Sequence, residues 1–338
     1  MQLKPIPQQV VVIAGASSGI GRDAALEFAQ RGARVAVAAR NQQGLDSLVQ
    51  RIHQMGGEAI AVPADVSDFE QVRAIAEATV AAFGRIDTWV HNAAVGMVAK
   101  FEEMTPEEFR QIIDINLMGQ VYGAKAALPY LKQTGRGSFI AVSSMEGRRA
   151  LPLQSAYSAA KHGLEGFLEA LRVELEHDGL NINVTSIKPA VINTPFYNHA
   201  RTKIGVKPTG MPPYYDPRLV TEAILYTAQH PTRDYIVGDV GRILDVAQRL
   251  SPALLDHILA RVAFRGQATN EPKRMEDPNN LFESMSGHER VDGDFDGLTV
   301  PSISDWAVKN PLQVVGAIAL GAAVLVAAGA VQKSSSPW

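Results

Sequence analysis

The chain has 338 residues, of which 46% are hydrophobic and 20% are charged, a composition typical of a folded globular protein. Its 32 lysines and arginines nearly balance its 35 aspartates and glutamates, so it lacks the basic field that nucleic-acid binding requires. The absence of cysteine excludes disulfide bonds, a thiolate nucleophile and a cysteine-ligated zinc site, and no metal site is predicted.

In chain order, the first 250 residues alternate between short apolar runs and longer helix-like segments. The apolar runs predict buried parallel strands at 10–14, 34–39, 59–63, 88–92, 138–143, 182–187 and 235–237. The segments between them predict helices at 20–31, 42–55, 68–83, 105–131 and 154–177. Ser67 is the expected N-cap of the third helix, and Thr105 with Glu108 predicts a capping box on the fourth. These β-α-β units predict one α/β domain over residues 1–250, with a doubly wound parallel sheet covered by helices on both faces.

A glycine-rich turn follows the first strand and opens a helix. Glycines there let the backbone approach a pyrophosphate, and the helix N-terminus offers free N–H groups to it. The structural alternative is an ordinary tight turn between a strand and a helix. The turn predicts a dinucleotide site formed by Gly15, Ser17, Ser18, Gly19, Ile20 and Gly21.

Arg40 stands at the end of the second predicted strand. A carboxylate at this position would bind a ribose 2′-hydroxyl, whereas an arginine fork pairs with a 2′-phosphate. A solvated surface arginine is the alternative. The position therefore favours NADP(H) over NAD(H).

Tyr157 and Lys161 are four residues apart near the start of a predicted helix, so their side chains share one face. A nearby ammonium is expected to lower the pKa of a phenol, which can then exchange a proton with an alcohol or carbonyl oxygen. An ordinary helix-surface pair is the alternative. Ser144 follows the fifth strand, where the carboxyl ends of parallel strands form a ligand crevice. The serine, the tyrosine and the glycine turn are therefore expected to converge.

With these residues in place, the chain resembles the short-chain dehydrogenase/reductase family over roughly residues 8–245. The resemblance implies a Rossmann-like fold and a catalytic set in which a tyrosine is the general acid/base and a lysine lowers its pKa and holds the nicotinamide ribose. A serine orients the substrate oxygen and an asparagine anchors a proton-relaying water. The positions that match these roles are Tyr157, Lys161, Ser144 and Asn116.

The resemblance also implies further cofactor contacts. Asp65 and Val66 would flank the adenine, Asn92 would line the cleft, and Thr194 would hold the nicotinamide carboxamide. The chain departs from the family pattern close to this cleft, and the departures put cofactor affinity in question while leaving the acid/base set intact. They are Ala14, His91, Ala94 and Ala190.

The C-terminal part differs from the domain before it. Residues 251–311 are expected to form a helical and polar linker that is partly disordered. The run from Asp292 to Gly297 resembles half of a calcium-binding loop, but Ile303 replaces the required twelfth-position carboxylate, so a solvated acidic linker is expected instead. Residues 312–331 carry no charge and are long enough to span a membrane, with 332–338 as a short tail. A buried helix of a soluble domain is the alternative for this apolar run.

Together, these features predict an oxidoreductase that transfers hydride between NADP(H) and a carbonyl/alcohol pair. A membrane anchor, with the catalytic domain on the cytoplasmic side, favours a lipophilic substrate, and the family implies a homodimer or homotetramer. A non-catalytic NADP(H)-binding scaffold or sensor remains open, as does an epimerase or lyase on the same fold. No nucleic-acid partner is expected.

Overall fold

The computed structural model of the chain describes residues 2–309. Within them, seven parallel strands form a central sheet in the order β3-β2-β1-β4-β6-β7-β10. Its members are β1 Val10–Ala14, β2 Arg34–Ala39, β3 Glu58–Pro63, β4 Thr88–His91, β6 Gly137–Val142, β7 Ile182–Pro189 and β10 Asp234–Val237. The predicted parallel sheet is thereby confirmed.

The central strands are apolar throughout because helices cover both faces of the sheet. All five residues of β1 are buried, and Val12 lies in register between Ala36 and Trp89 on its two neighbours. One face is covered by α1 Gly19–Gln30, α2 Gln42–Gln54 and α8 Pro217–Thr227. The other is covered by α3 Phe69–Phe83, α5 Gly119–Thr134 and α6 Ser155–His177. The fold is therefore the doubly wound α/β arrangement.

Two helix starts were predicted, and they come out differently. The capping box of α4 Pro106–Ile113 is present: Thr105 Oγ1 accepts from the Glu108 N–H at 3.3 Å, and Glu108 Oε2 accepts from the Thr105 N–H at 2.8 Å. The N-cap predicted for α3 is wrong by one residue. Asp68 accepts from the N–H groups of the first turn, whereas the Ser67 hydroxyl donates to Asp65.

The predicted helix over 105–131 is divided in the structure. A single π-helical turn, Asp114–Met118, lies between α4 and α5. Such turns place an extra residue in the helix and are frequent at functional sites. Here the turn contains Asn116.

Small elements surround the carboxyl edge of the sheet. Two short pairs, β5 Met97–Val98 with β8 Arg201–Thr202 and β9 Val206–Pro208 with β11 Ala268–Pro272, hold the loops after β4 and β7. The remaining helices after β7 are α7 Phe196–His199, α9 Asp239–Leu250, α10 Pro252–Gly266 and α11 Ile303–Lys309.

The chain after α10 lies against the α/β domain instead of extending away from it. Leu281 is fully buried in the core that also contains α5 and α6. We call residues 279–296 the strap, because they cross the carboxyl edge of the sheet. Within residues 2–309 no helix is both long and apolar enough to cross a membrane. The predicted spanning segment 312–331 lies outside the described residues.

Candidate active site

A cavity of ≈ 610 Å³ opens at the carboxyl ends of the sheet strands. It runs from the glycine turn, past the ends of β2 and β3, to α6 and the loop after β7. Gly21 and Asn116 stand behind its wall, and the other predicted site residues line it. These are Gly15, Ser17, Ser18, Gly19, Ile20, Arg40, Asp65, Val66, Asn92, Ser144, Tyr157, Lys161 and Thr194.

The glycine turn has no room for side chains at two of its positions. A Cβ on Gly15, whose φ is +85°, would lie 2.4 Å from the Ala93 nitrogen. A Cβ on Gly21 would lie 2.1 Å from the Gly15 carbonyl oxygen. The Asn92 amide donates to that same oxygen at 2.9 Å, which ties the turn to the end of β4. This close-packed cradle ends at the N-terminus of α1 and fits a cofactor pyrophosphate.

Polar groups define the far end of the cleft. Asp65 Oδ1 accepts from the N–H and the hydroxyl of Ser67, at 2.9 and 2.7 Å. The Arg40 guanidinium is half-buried and lies 3.7 Å from Asp65 Oδ2. These residues suit the adenosine portion of a dinucleotide, with the guanidinium available to a phosphate.

Tyr157, Lys161 and Ser144 meet at the middle of the cavity. Lys161 is 1% exposed, and its Nζ donates to the Val142 carbonyl at 2.9 Å, at the end of β6. That nitrogen lies 5.4 Å from the Tyr157 ring centroid. Ser144 Oγ accepts from the Glu146 N–H at 3.1 Å and caps the short 3₁₀ turn Met145–Gly147. One strand end and one helix face therefore bring the three groups together.

Burial dominates the electrostatics of this group. It raises the pKa of the Tyr157 hydroxyl, and the Glu146 carboxylate adds to that rise, while a hydrogen bond with Ser144 opposes it. Burial also lowers the pKa of Lys161 to about 8, against the attraction of Glu165 and Glu146. The direction is opposite to the sequence-based expectation of a lowered tyrosine pKa, because burial and Glu146 outweigh the hydrogen bond with Ser144. The phenol keeps its proton at neutral pH and is a donor.

Glu146 is a site residue that sequence reasoning missed. It lines the cavity, is 7% exposed and accepts a hydrogen bond from the Ser158 hydroxyl at 2.6 Å. Burial raises its pKa to about 8, and Ser158 and Lys161 oppose that rise. The available signal was its position two residues after Ser144, in a turn that already pointed to the crevice.

Asn116 is held rigidly by the π-helical turn. Its side-chain oxygen accepts from the Val95 N–H and its amide donates to the Val95 carbonyl, both at 2.8 Å. The side chain thereby fixes the loop after β4, which forms part of the cavity wall. Thr194 lies against the glycine turn at the other side, where a Cβ on Gly19 would approach its Cβ at 3.3 Å.

The rest of the cavity is an apolar chamber beside Tyr157. The Phe196 ring meets the Tyr157 ring edge-on with centroids 5.7 Å apart. The contributions of α9 and α10 were not predicted, since no motif marked these helices. The apolar lining consists of Met145, Leu151, Phe196, Met211, Val240, Leu244, Ile258, Leu259 and Val262.

Within residues 2–309 no group of three His, Asp or Glu side chains is placed to hold a metal ion. The aspartates of the calcium-loop resemblance instead pair with cationic side chains of the domain. Asp292 pairs with Arg218, and Asp294 with Lys207.

Two relatives share sequence with much of the chain. The chain is 38% identical over 295 residues to an uncharacterized oxidoreductase, YxnA, of Bacillus subtilis strain 168, covering 86% of this chain and 82% of that protein. It is 36% identical over 196 residues to 11-beta-hydroxysteroid dehydrogenase-like 3 of Arabidopsis thaliana, covering 57% of this chain and 62% of that protein.

A solved structure shares the fold. The alcohol dehydrogenase from the archaeon Thermococcus sibiricus, complexed with 5-hydroxy-NADP, superimposes with a TM-score of 0.60 at 27% identity. The match covers 68% of this chain and 95% of that one. A family profile described as short chain dehydrogenase matches residues 9–205, which hold the glycine turn and the Ser144, Tyr157 and Lys161 group. The chain therefore belongs to the short-chain dehydrogenase/reductase family and is an NAD(P)-dependent oxidoreductase.

Proposed function

We propose that this enzyme reduces lipophilic ketones or aldehydes to alcohols with NADPH. The observation that carries the proposal is the position of the buried Tyr157 side chain, between a dinucleotide cradle and an apolar chamber. The reverse oxidation uses the same groups.

The cofactor, when bound, supplies the hydride. Tyr157 donates its proton to the oxygen of the reacting carbonyl, and Ser144 donates a hydrogen bond to the same oxygen. Donors that already point at the place where charge develops lower the barrier. Lys161 is fixed by the Val142 carbonyl, so its ammonium is oriented toward the tyrosine and the ribose position. Asn116 holds Val95 and provides the site for a relay water that returns a proton to Tyr157.

NADP(H) preference is supported by Arg40. Arg40 is the residue directly after β2, the position at which a carboxylate would instead receive a ribose 2′-hydroxyl. Its fork geometry suits a 2′-phosphate. The pyrophosphate would be held by the glycine turn and the end of β4, through Gly15, Ser17, Ser18, Gly19, Ile20, Gly21 and Asn92. Asp65 and Val66 would flank the adenine, and Thr194 would hold the nicotinamide carboxamide.

A lipophilic substrate is supported by the lining of the chamber. Ile258 and Val262 face the cavity yet are 43% and 50% exposed, so the chamber wall continues onto an apolar surface. A steroid dehydrogenase name among the relatives points to the same class of substrate. Residues 312–331 would anchor the enzyme at a membrane, where such compounds dissolve.

The test is NADPH oxidation by the full chain, purified in detergent, against aliphatic, aromatic and steroid carbonyl compounds. Tyr157→Phe keeps the ring but removes the proton, and it should lower kcat by roughly 10²–10⁴-fold with little change in NADPH affinity. Tyr130→Phe, on the half-buried surface of α5, is the matched control and should retain activity. Equal turnover by both variants would sink the mechanism. Turnover restricted to small, water-soluble substrates would contradict the proposal that the substrate is lipophilic.

A further inference from the structure

The strap contacts the cofactor half of the cleft through backbone atoms. The Gly19 N–H, at the first turn of α1, donates to the Arg290 carbonyl at 2.8 Å. Arg40 Nη2 donates to the Asn280 carbonyl at 2.5 Å, and Nη1 to the Phe282 carbonyl at 3.4 Å. The strap therefore reaches both the phosphate turn and the arginine that faces the adenosine end.

The residue after Arg40 is also held. The Asn41 amide donates to the Met285 carbonyl at 3.0 Å and to Glu289 Oε1 at 2.9 Å. Met285 itself lines the cavity, as do Asn280 and Ser284. The strap is thus the outer wall of the cleft at its adenosine end.

The two ends of the strap are fastened to different parts of the domain. Near its start, Leu281 is 0% exposed and its carbonyl accepts from Gln111 of α4 at 3.2 Å. Near its end, the Gly293 N–H donates to the Asn193 carbonyl at 3.1 Å, next to Thr194. This fastening explains how backbone carbonyls can hold a flexible arginine in place.

We propose that the strap is a specificity element, whose Asn280 and Phe282 carbonyls hold the Arg40 guanidinium in position for the 2′-phosphate of NADP(H). This inference rests on the proposed NADP(H) preference. An arginine on a free surface loses rotamer entropy when it binds a phosphate. A side chain that is already ordered loses less, so its binding is more favourable. A guanidinium carries five N–H donors, so two strap carbonyls leave capacity for a phosphate.

Asp65 also faces the guanidinium, and it would pull Arg40 toward the adenine side if the strap carbonyls were displaced. The strap therefore acts through Arg40 as a positioning element.

The test compares kcat/KM for NADPH with kcat/KM for NADH in the full chain. Leu281→Ala loosens the anchor that lies between the Asn280 and Phe282 carbonyls. It should lower the NADPH/NADH ratio of kcat/KM roughly two- to tenfold, the effect expected when one long side chain must be ordered anew on binding. Leu298→Ala is the matched control, because Leu298 is 62% exposed and lies beyond the strap. Leu281→Met, which refills the core, should restore the ratio.

Because a ratio is independent of the folded fraction, partial unfolding of Leu281→Ala does not obscure the result. Arg40→Gln alone and Arg40→Gln with Leu281→Ala should give the same ratio, since the strap has then lost the group it positions. An unchanged ratio in Leu281→Ala, with NADPH preferred by the wild type and lost in Arg40→Gln, overturns the strap inference and leaves the proposed function intact. A wild type without NADPH preference overturns both.

Discussion

Lys161, Tyr157 and Glu146 are three ionisable side chains buried in one cavity. Each is desolvated, and their charges act on one another: Glu146 raises the pKa of Lys161 and of Tyr157, and Lys161 lowers that of Glu146. Such groups titrate as a set, so their apparent pKa values belong to the set. Activity above neutral pH is therefore expected to depend on Glu146 as well as on the residues that touch substrate.

Glu146→Gln should shift the alkaline limb of kcat/KM to lower pH. The carboxylate helps to keep Lys161 protonated, so its removal lowers the lysine pKa further below about 8 and the ammonium is lost earlier. The measurement is a pH profile from 6 to 10 with saturating NADPH. Glu107→Gln, an exposed glutamate on α4, is the control and should leave the limb in place. A limb that stays fixed or moves upward in Glu146→Gln contradicts the coupling.

His91 is the departure from the family pattern with a measurable physical consequence. It is fully buried at the end of β4, and a Cβ on Gly123 would lie 2.3 Å from its Nδ1. Burial, aided by Lys161, lowers its pKa to about 3. The folded protein therefore keeps this imidazole neutral until the pH falls to about 3.

His91→Asn should make the free energy of unfolding less sensitive to acid. The unfolded chain protonates this histidine near its ordinary pKa of 6.5, whereas the folded chain does so near 3. Its contribution to stability is thus complete above 6.5 and declines as the pH falls toward 3. Urea unfolding at several pH values from 7 to 4 measures the slope for both proteins. Parallel slopes would rule out the buried neutral histidine.

At the scale of elements, the glycine turn, Arg40 and the Tyr157–Lys161 helix could be predicted because each is a local pattern. The spacing of residues within one strand-turn-helix unit, or along one helix face, can be read directly from a short stretch of sequence. Glu146 and the π-helical turn at Asn116 could not be predicted, since burial and helix register there are decided by neighbouring elements. The strap could not be predicted for a further reason. Its contacts to Arg40 are made by backbone carbonyls, and because every residue has a carbonyl, the side-chain sequence does not mark these contacts.

Gly21→Ala should abolish NADPH binding, because its Cβ would lie 2.1 Å from the Gly15 carbonyl oxygen and force the phosphate turn apart. Gly166→Ala in α6 is the matched helical control, since a Cβ there meets nothing within 4 Å. That control should raise stability by roughly 0.5–1 kcal/mol and leave binding intact. Isothermal titration with NADPH and thermal unfolding report both effects. Tight binding by Gly21→Ala would show that the turn tolerates a side chain.

At the scale of the whole molecule, the sheet and the helices that cover it were predictable, whereas the packing of residues 267–300 against the domain was not. Apolar runs of five or six residues can be buried in few ways other than parallel strands, so they predict the sheet directly. Residues 267–300 are polar and rich in turn-forming residues, a composition shared by solvated linkers and by loops that bind through hydrogen bonds. The ion pairs of Asp292 with Arg218 and of Asp294 with Lys207 show that this segment is a bound loop and not a solvated linker.

The position of the strap in the chain has a consequence for biosynthesis. The central sheet is complete at Val237, but the outer wall of the cofactor cleft is not complete until residue 296 has left the ribosome. The nascent domain can therefore fold around its sheet while the nucleotide site still lacks one side. A shortened product that ends before the strap is therefore expected to fold its sheet and to bind nucleotide more weakly than a chain that includes residues 279–296.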